Sequence, residues 1–168
     1  MHARHALPLM ARICSATAFA LVLLRPVSGD DSPPAPVVFV CEHGSVKSLI
    51  AASLFDQAAT DRGLPHRAVS RGIAPDARVP PAIAAALARD GFDVAQVKPQ
   101  ALTAADLAGA TRVVAIGVDL PANGAQAPGP AEHWDDIPPA SKDYPAARTA
   151  LQRHIDELLD ELIAAKAK

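Results

Sequence analysis

The fold is decided by residues 36–60, which read PVVFVCEHGSVKSLIAASLFDQAAT. The first apolar run, 37–40, is β-branched and aromatic, which is typical of a strand buried on both faces. Helical periodicity of apolar residues begins at Val46 and ends near Gly63. The segment therefore predicts a buried strand, a short loop that begins at Cys41 and an amphipathic helix.

Strand and helix patterns alternate along the rest of the chain. Two further strand-like stretches and three helical stretches follow, at 66–70, 112–117, 80–89, 104–107 and 145–165. Alternation of this kind predicts the α/β class, with a parallel sheet covered by helices on both faces. Residues 119–133 form a long stretch rich in Pro, Gly and Ala, which we interpret as a candidate lid.

The bulk composition is that of a globular chain. Half of its 168 residues are apolar and a fifth are charged, so one domain with a real core is expected and a disordered chain is excluded. Aromatic residues make up only 4%. The core is therefore predicted to consist mainly of Ala, Val, Leu and Ile.

The first 29 residues have the pattern of an export signal. A basic start precedes an apolar run over 13–24, and the small-residue pattern VSG follows it. Such a run spans only about 18 Å as a helix, too little to cross a bilayer comfortably. We therefore predict a signal peptide over 1–29, a Pro-rich linker over 30–36 and one domain over 37–168, exported to the periplasm. The alternatives are an uncleaved membrane anchor and an overlong gene start.

Cleavage would change both the charge and the thiol content. It would remove three arginines and no acidic residue, so the net charge would fall from −2 to −5, and no membrane span would remain. An acidic chain lacks the basic surface that nucleic acid requires, so no such partner is predicted. Cleavage would also remove Cys14 and leave Cys41 as the single thiol. A single cysteine cannot form an intramolecular disulfide, so Cys41 is predicted to be free to react.

The chemistry is expected in residues 40–48, which read VCEHGSVKS. Ligands of open parallel sheets bind beyond the carboxyl ends of the strands, where this loop would lie. A loop that leads into a helix N-terminus turns successive backbone N–H groups toward one point. Such a cradle suits a tetrahedral oxyanion and favours the nucleophilic thiolate of Cys41. Lys47 adds a positive charge, and Ser48 can donate a hydrogen bond to the sulfur.

The loop resembles the signature of the low-molecular-weight protein tyrosine phosphatase family, Cys-(five residues)-Arg-Ser before an amphipathic helix. The matching residues here are Cys41, Lys47 and Ser48. The resemblance extends over 36–165, with SRG at 70–72 in place of the family's Ser-Ala-Gly. The family shares its fold with the thioredoxin-coupled arsenate reductases. The resemblance implies a three-layer α/β sandwich with a four-stranded parallel sheet in the order 2-1-3-4. It also implies a phosphate or arsenate oxyanion, or a phosphorylated substrate, as the partner.

The resemblance further implies roles for individual residues. Cys41 would attack phosphorus and form a phosphocysteine, and Ser48 would stabilise the thiolate as it leaves in the second step. Asp136, or Asp135 beside it, would protonate the leaving oxygen and then deprotonate the attacking water. We favour Asp136 because its Asp-Ile-Pro context is closer to the family's Asp-Pro. The equatorial oxygens would be held by the amides of six residues, which are Glu42, His43, Gly44, Ser45, Val46 and Lys47.

Three loop positions depart from the family's pattern. Lys47 replaces an arginine, so the positive charge is kept but the planar fork that grips two oxygens is lost. Gly44 replaces an asparagine in a left-handed conformation, which glycine adopts at no steric cost. Val46 replaces a second loop cysteine, so an intramolecular cysteine relay to thioredoxin is excluded. Arg71 is a candidate source of the missing guanidinium, although exposure on a turn is the favoured interpretation.

Three functions are open at this point. The leading one is hydrolysis of phosphate monoesters through a cysteinyl-phosphate, as in protein tyrosine phosphatases. The others are oxyanion binding without turnover and arsenate reduction in which an external thiol resolves the Cys41 adduct. A cysteine that ends a strand can also be a small buried hydrophobe. No cofactor and no metal is predicted, because Cys41, His43, His66 and His133 lack the close spacing of a zinc motif.

Overall fold

Four strands form one parallel sheet in the part of the chain that the computed structural model describes, residues 34–121 and 131–166. The strands are β1 (Val37–Cys41), β2 (Ala68–Gly72), β3 (Arg112–Ala115) and β4 (Glu132–His133). The helices are α1 (Lys47–Asp61), α2 (Pro81–Arg89), α3 (Ala104–Ala108) and α4 (Tyr144–Lys166). The strand order is β2-β1-β3-β4, so the predicted α/β class and the order 2-1-3-4 are confirmed.

The strand β1 lies inside the sheet because it is apolar on both faces. All five of its residues are buried, as a continuous apolar run predicts. Phe39 lies in one core with residues of α1, α2 and α4, and its ring contacts those of Phe55 and Trp134. Val40 belongs to a second core, in which it packs with Leu107 of α3. Helices therefore cover both faces of the sheet.

The register of the sheet brings three strand ends together. Cys41 pairs with Gly72, the last residue of β2, and Val40 pairs with Ala115, the last residue of β3. Since the strands are parallel, their carboxyl ends lie at one edge of the sheet. The segments that follow β1, β2 and β3 therefore meet at the edge where the sequence predicts a ligand.

Several element boundaries differ from the sequence-based expectation, two of them near the site. The second strand covers 68–72 instead of the predicted 66–70, because these are the residues in register with β1. The long loop predicted over 119–133 ends in β4, a two-residue strand that pairs with the end of β3. Residues 122–130 of that predicted lid lie outside the described residues.

The amino-terminal segment is not part of the described structure. The predicted signal peptide over 1–29 and most of the linker over 30–36 lie outside the described residues, so export, cleavage and the domain limits stay predictions. Within the two described ranges, no helix is both long enough and apolar enough to span a bilayer.

Candidate functional site

The loop between β1 and α1 is anchored through its carbonyl groups. Three backbone amides of the turn after β2, those of Ile73, Ala74 and Asp76, donate to the carbonyl oxygens of Cys41 (3.1 Å), Glu42 (2.8 Å) and His43 (3.1 Å) respectively. With these carbonyl groups bound on one side, the loop has an arrangement expected of an anion cradle, whose N–H groups would face the other side. The cradle itself stays a prediction for the loop where α1 begins.

Two glycines allow the loop to lie directly on the end of β2. Gly44 has φ +65°, a left-handed conformation that favours glycine. A methyl group at Gly44 would lie 2.8 Å from the backbone nitrogen of Gly72, and one at Gly72 would lie 2.7 Å from the nitrogen of Gly44. Both distances are too short for real atoms, so the contact requires glycine on each side.

The sulfur of Cys41 lies at the base of the cradle with two potential donors. Cys41 is a free cysteine and is only 4% exposed. Its Sγ lies 3.1 Å from Ser48 Oγ and accepts a hydrogen bond from Gly44 N at 3.3 Å. When the sulfur is a thiolate, the Ser48 hydroxyl can act only as the donor. Both groups can therefore donate a hydrogen bond to the sulfur.

A cleft of about 330 Å³ opens over the loop. It is lined by Cys41, Glu42, His43, Val46 and Lys47 of the loop and α1, by Ile116 and Gly117 after β3, and by Pro139, Ala140 and Ser141 before α4. The volume is near the lower end of the range for small-molecule sites. The cleft therefore suits an oxyanion with a substituent of modest size.

The ammonium group of Lys47 lies across the cleft from the loop, against Gly117. A methyl group built on Gly117 would lie 2.8 Å from Lys47 Nζ, and Gly117 has φ +59°. Lys47 makes no ion pair with any residue in the described ranges. Its positive charge is therefore available to a bound anion, and the missing side chain at Gly117 provides its space.

A comparison with protein families identifies this arrangement. The model for low molecular weight phosphotyrosine protein phosphatases matches residues 36–123, just over half of the chain, including β1, the loop and α1. The chain belongs to this family. The resemblance inferred from Cys41, Lys47 and Ser48 is thereby confirmed. No curated protein sequence matches the chain.

Solved structures share the family's fold at low sequence identity. A thioredoxin-dependent arsenate reductase from Corynebacterium glutamicum is 20% identical (TM-score 0.63), and the match covers 80% of this chain but only 65% of that protein. A low molecular weight protein tyrosine phosphatase from T. tengcongensis is 22% identical (TM-score 0.63, 75% of this chain and 98% of that one). An arginine phosphatase from Geobacillus stearothermophilus is 21% identical (TM-score 0.61, 80% and 96%). These similarities show the fold alone, because the three proteins include one reductase and two phosphatases.

Arg71 does not supply the guanidinium that this phosphatase-family loop lacks. Its Nη2 pairs with Asp106 Oδ1 at 2.8 Å, and both side chains are mostly buried. Burial alone would raise the pKa of Asp106, but hydrogen bonds from Arg71 and Thr103 outweigh it and lower that pKa. Arg71 is absent from the described residues that line the cleft. Its charge therefore joins β2 to α3 and does not face an oxyanion.

The two aspartates implied as the family's acid lie apart from the cleft lining. Asp135 and Asp136 are exposed, and neither is among the described lining residues. Asp136 Oδ1 lies 2.7 Å from His154 Nε2, and its Oδ2 accepts a hydrogen bond from Arg153 at 2.6 Å. The contact with His154, supported by Arg153, lowers the pKa of Asp136. Asp136 therefore contacts α4 in this structure, and its role as the acid stays a prediction from the resemblance.

The structure brings some of the predicted site residues together and not others. Cys41, Lys47 and Ser48 lie at the loop, whereas Asp136 contacts α4 and Asp135 lies outside the described cleft lining. Among the described residues, no group of three or more His, Cys, Asp or Glu side chains could hold a metal ion. Sequence reasoning missed the roles of four residues of the opposite wall and of one partner of the loop, which are Gly117, Pro139, Ala140, Ser141 and Asp76. Of these, only Gly117, the last residue of the predicted strand over 112–117, carried a local signal.

Proposed function

We propose that the chain hydrolyses phosphate monoesters through a cysteinyl-phosphate on Cys41. The observation that supports this best is the position of the sulfur, which lies at the base of the amide cradle with Ser48 and Gly44 as partners. A nucleophile at the centre of an oxyanion cradle is placed to attack the bound phosphorus. A structural cysteine would not require this combination of donors, nor a positive charge beside it.

The reaction has two steps. The Cys41 thiolate attacks phosphorus, the ester P–O bond breaks, and an alcohol or phenol leaves. The loop amides and Lys47 stabilise the negative charge of the equatorial oxygens during transfer. Water then attacks the phosphocysteine, phosphate leaves, and the thiolate is stabilised again by Ser48. This order accounts for a serine hydroxyl directed at the sulfur.

Burst-phase kinetics test this proposal. The purified chain is mixed with 4-nitrophenyl phosphate in a stopped-flow instrument, and the release of nitrophenolate is followed. A burst close to one equivalent per chain, followed by slower turnover, indicates a phosphoenzyme. If hydrolysis is absent while phosphate still raises the melting temperature, the cradle binds oxyanions without turnover and the proposal is overturned.

Lys47→Arg is expected to raise the rate of the burst. A guanidinium can hold two equatorial oxygens at once, which an ammonium cannot do. Because removing one preorganised donor costs about 10²–10³ in rate in other enzymes, we expect a gain on the order of tenfold or more. Gly117 places no side chain beside the head group at this position. Lys98→Arg, at an exposed lysine away from the cleft, serves as the control, and an equal or lower rate in Lys47→Arg contradicts the prediction.

Asp136→Asn is expected to leave the burst on phenyl phosphate, whose leaving group needs a proton, unchanged and to affect stability only. The pKa of Asp136 is lowered in the fold, so its carboxylate stabilises the chain above its ordinary pKa of 3.8. That contribution is lost as the pH falls through the lowered pKa. The melting temperature of Asp136→Asn should therefore be slightly lower than that of the parent at neutral pH and equal to it in strong acid. Asp135→Asn, without these contacts, is the matched control; a large fall in burst rate for either variant would restore the acid role that the resemblance implies.

Arsenate reduction with an external thiol is a second candidate. It is favoured by the absence of an aspartate from the described cleft lining, since arsenate releases only hydroxide or water and no alcohol. The Cys41 thiolate would bind arsenic(V) with loss of water. A low-molecular-weight thiol would then attack the sulfur, releasing arsenite and leaving a mixed disulfide that a second thiol reduces. Arsenite formed only when such a thiol is added supports this candidate, and its absence under those conditions excludes it.

A further inference from the structure

We propose that His43, oriented by Asp76, donates and accepts the protons of the reaction. This inference rests on the proposed function and names the group that protonates the leaving oxygen and then activates water. The two residues belong to different loops, after β1 and after β2, and no sequence motif links them. The fold brings them into contact beside the cleft.

Asp76 holds His43 through both its main chain and its side chain. Asp76 N donates to His43 O at 3.1 Å, and Asp76 Oδ1 lies 3.7 Å from His43 Nδ1. The other carboxylate oxygen, Oδ2, accepts a hydrogen bond from the hydroxyl of Ser45, which is fully buried. The carboxylate is therefore fixed by the loop itself, with one oxygen facing the imidazole.

The imidazole can complete this contact and still reach the cleft. The separation of 3.7 Å is longer than a hydrogen bond, but the His43 side chain is 55% exposed, so protein atoms cover less than half of its surface. Catalytic hydrogen bonds often shorten when a ligand is bound. Once Nδ1 donates to Asp76, the other ring nitrogen, Nε2, is left to exchange protons. Since His43 lines the cleft, that nitrogen serves the bound substrate.

The other charged or titratable groups around His43 do not suit this task. Cys41 is the nucleophile, and the charge of Lys47 is already assigned to the oxygens of the bound anion. Glu42 is exposed, and no described residue forms a hydrogen bond that would orient its carboxylate. The described residues of the facing walls, after β3 and before α4, contribute no titratable side chain. An imidazole, which exchanges protons near neutral pH, is the remaining group.

His43 gives up one proton in the first step and regains one in the second. In the first, Sγ–P forms and P–O breaks while the imidazolium N–H of His43 passes its proton to the leaving oxygen. In the second, the neutral imidazole takes a proton from the attacking water while Sγ–P breaks. Phosphate and the thiolate are released, and the imidazolium is restored. Ester and water are thereby converted to alcohol and phosphate without any further reactant.

The test compares His43→Gln with the parent on two substrates. We expect phenol release from phenyl phosphate to fall on the order of 10²-fold, the lower end of general acid catalysis. Release from 4-nitrophenyl phosphate should fall much less, because nitrophenolate leaves without a proton. The burst rate of the parent on phenyl phosphate should decline as the pH rises and the imidazolium is lost, and this decline should vanish in His43→Gln. Asp76→Asn, which removes the carboxylate that faces the imidazole, should also slow phenol release more than nitrophenolate release.

Two controls separate catalysis from folding. His133→Gln, at an exposed histidine of β4 outside the cleft lining, should match the parent, and phosphate should raise the melting temperature of His43→Gln as it does for the parent. Three results for His43→Gln would overturn the inference: equal slowing of both substrates, a burst rate that still declines as the pH rises, or loss of the stabilisation by phosphate. In each case a burst in the parent would still support the proposed hydrolysis. A parent without any burst overturns both.

Discussion

Cys41→Ser is expected to abolish the burst and to lower turnover by about 10³-fold or more, the scale on which removal of a nucleophile acts in other enzymes. The reason is that Ser48 Oγ at 3.1 Å and Gly44 N at 3.3 Å stabilise an anion on sulfur. The same surroundings cannot ionise a serine hydroxyl near neutral pH, so the attack on phosphorus is lost. Stopped-flow measurements with 4-nitrophenyl phosphate give the burst and the turnover in one experiment.

The same variant should still bind phosphate. The loop amides and Lys47 are untouched, and the substitution removes a negative charge that would repel the dianion. Thermal stabilisation by phosphate should therefore be retained or increased while chemistry is lost. Cys14→Ser, at the only other cysteine of the chain, is the matched control and should have parental kinetics. A full burst in Cys41→Ser would place the nucleophile elsewhere.

The part of the site that could be predicted lies within one continuous segment. Strand β1, the loop and α1 follow each other along the chain, and each has a strong local pattern, from the apolar run to the residues around Gly44. Cys41, Lys47 and Ser48 are related by helix and loop geometry alone, so their spacing is sufficient to place them together. The order of the strands required the family resemblance, because local patterns do not specify which strands are neighbours.

The part that could not be predicted depends on contacts between distant segments. The contact of Gly44 with Gly72 and the placement of Asp76 beside His43 and Ser45 arise from the turn after β2. Nothing in the local sequence of that turn indicates an ion pair or a close backbone approach. The register between β1 and β2 determines both, and it is a property of the whole sheet.

The aspartates show that a motif can lie at the expected place in the sequence while its side chains make contacts that the sequence does not indicate. The Asp135-Asp136 pair precedes the last helix, as the resemblance requires, but α4 presents His154 and Arg153 to Asp136. These partners favour the ionised carboxylate and turn it toward the helix. Side-chain direction in an irregular segment depends on such neighbours, so residue spacing alone does not determine it.

Gly44→Ala is expected to destabilise the chain by about 2–5 kcal/mol and to abolish phosphate binding. A left-handed alanine costs about 1–2 kcal/mol, and its methyl group would lie 2.8 Å from Gly72 N, which adds an overpacking cost of about 1–3 kcal/mol. Gly63→Ala is the matched control, since Gly63 has φ +66° but nothing within 4 Å of the added methyl group. Gly63→Ala should lose only the free energy that a left-handed alanine costs, and phosphate should still stabilise it. Equal losses in the two variants would show that the contact with Gly72 is unimportant.

Gly72→Ala separates the contact from the backbone conformation. Gly72 is not in the left-handed region, yet a methyl group there would lie 2.7 Å from Gly44 N and 2.8 Å from the carbonyl carbon of His43. The loss of stability in Gly72→Ala should therefore come from the steric clash alone. The clash should displace the loop between β1 and α1. Denaturant unfolding and the phosphate-induced rise in melting temperature measure the two consequences. If the cradle depends on this backbone contact, Gly72→Ala loses phosphate stabilisation as Gly44→Ala does, although its sequence position lies outside the phosphatase signature.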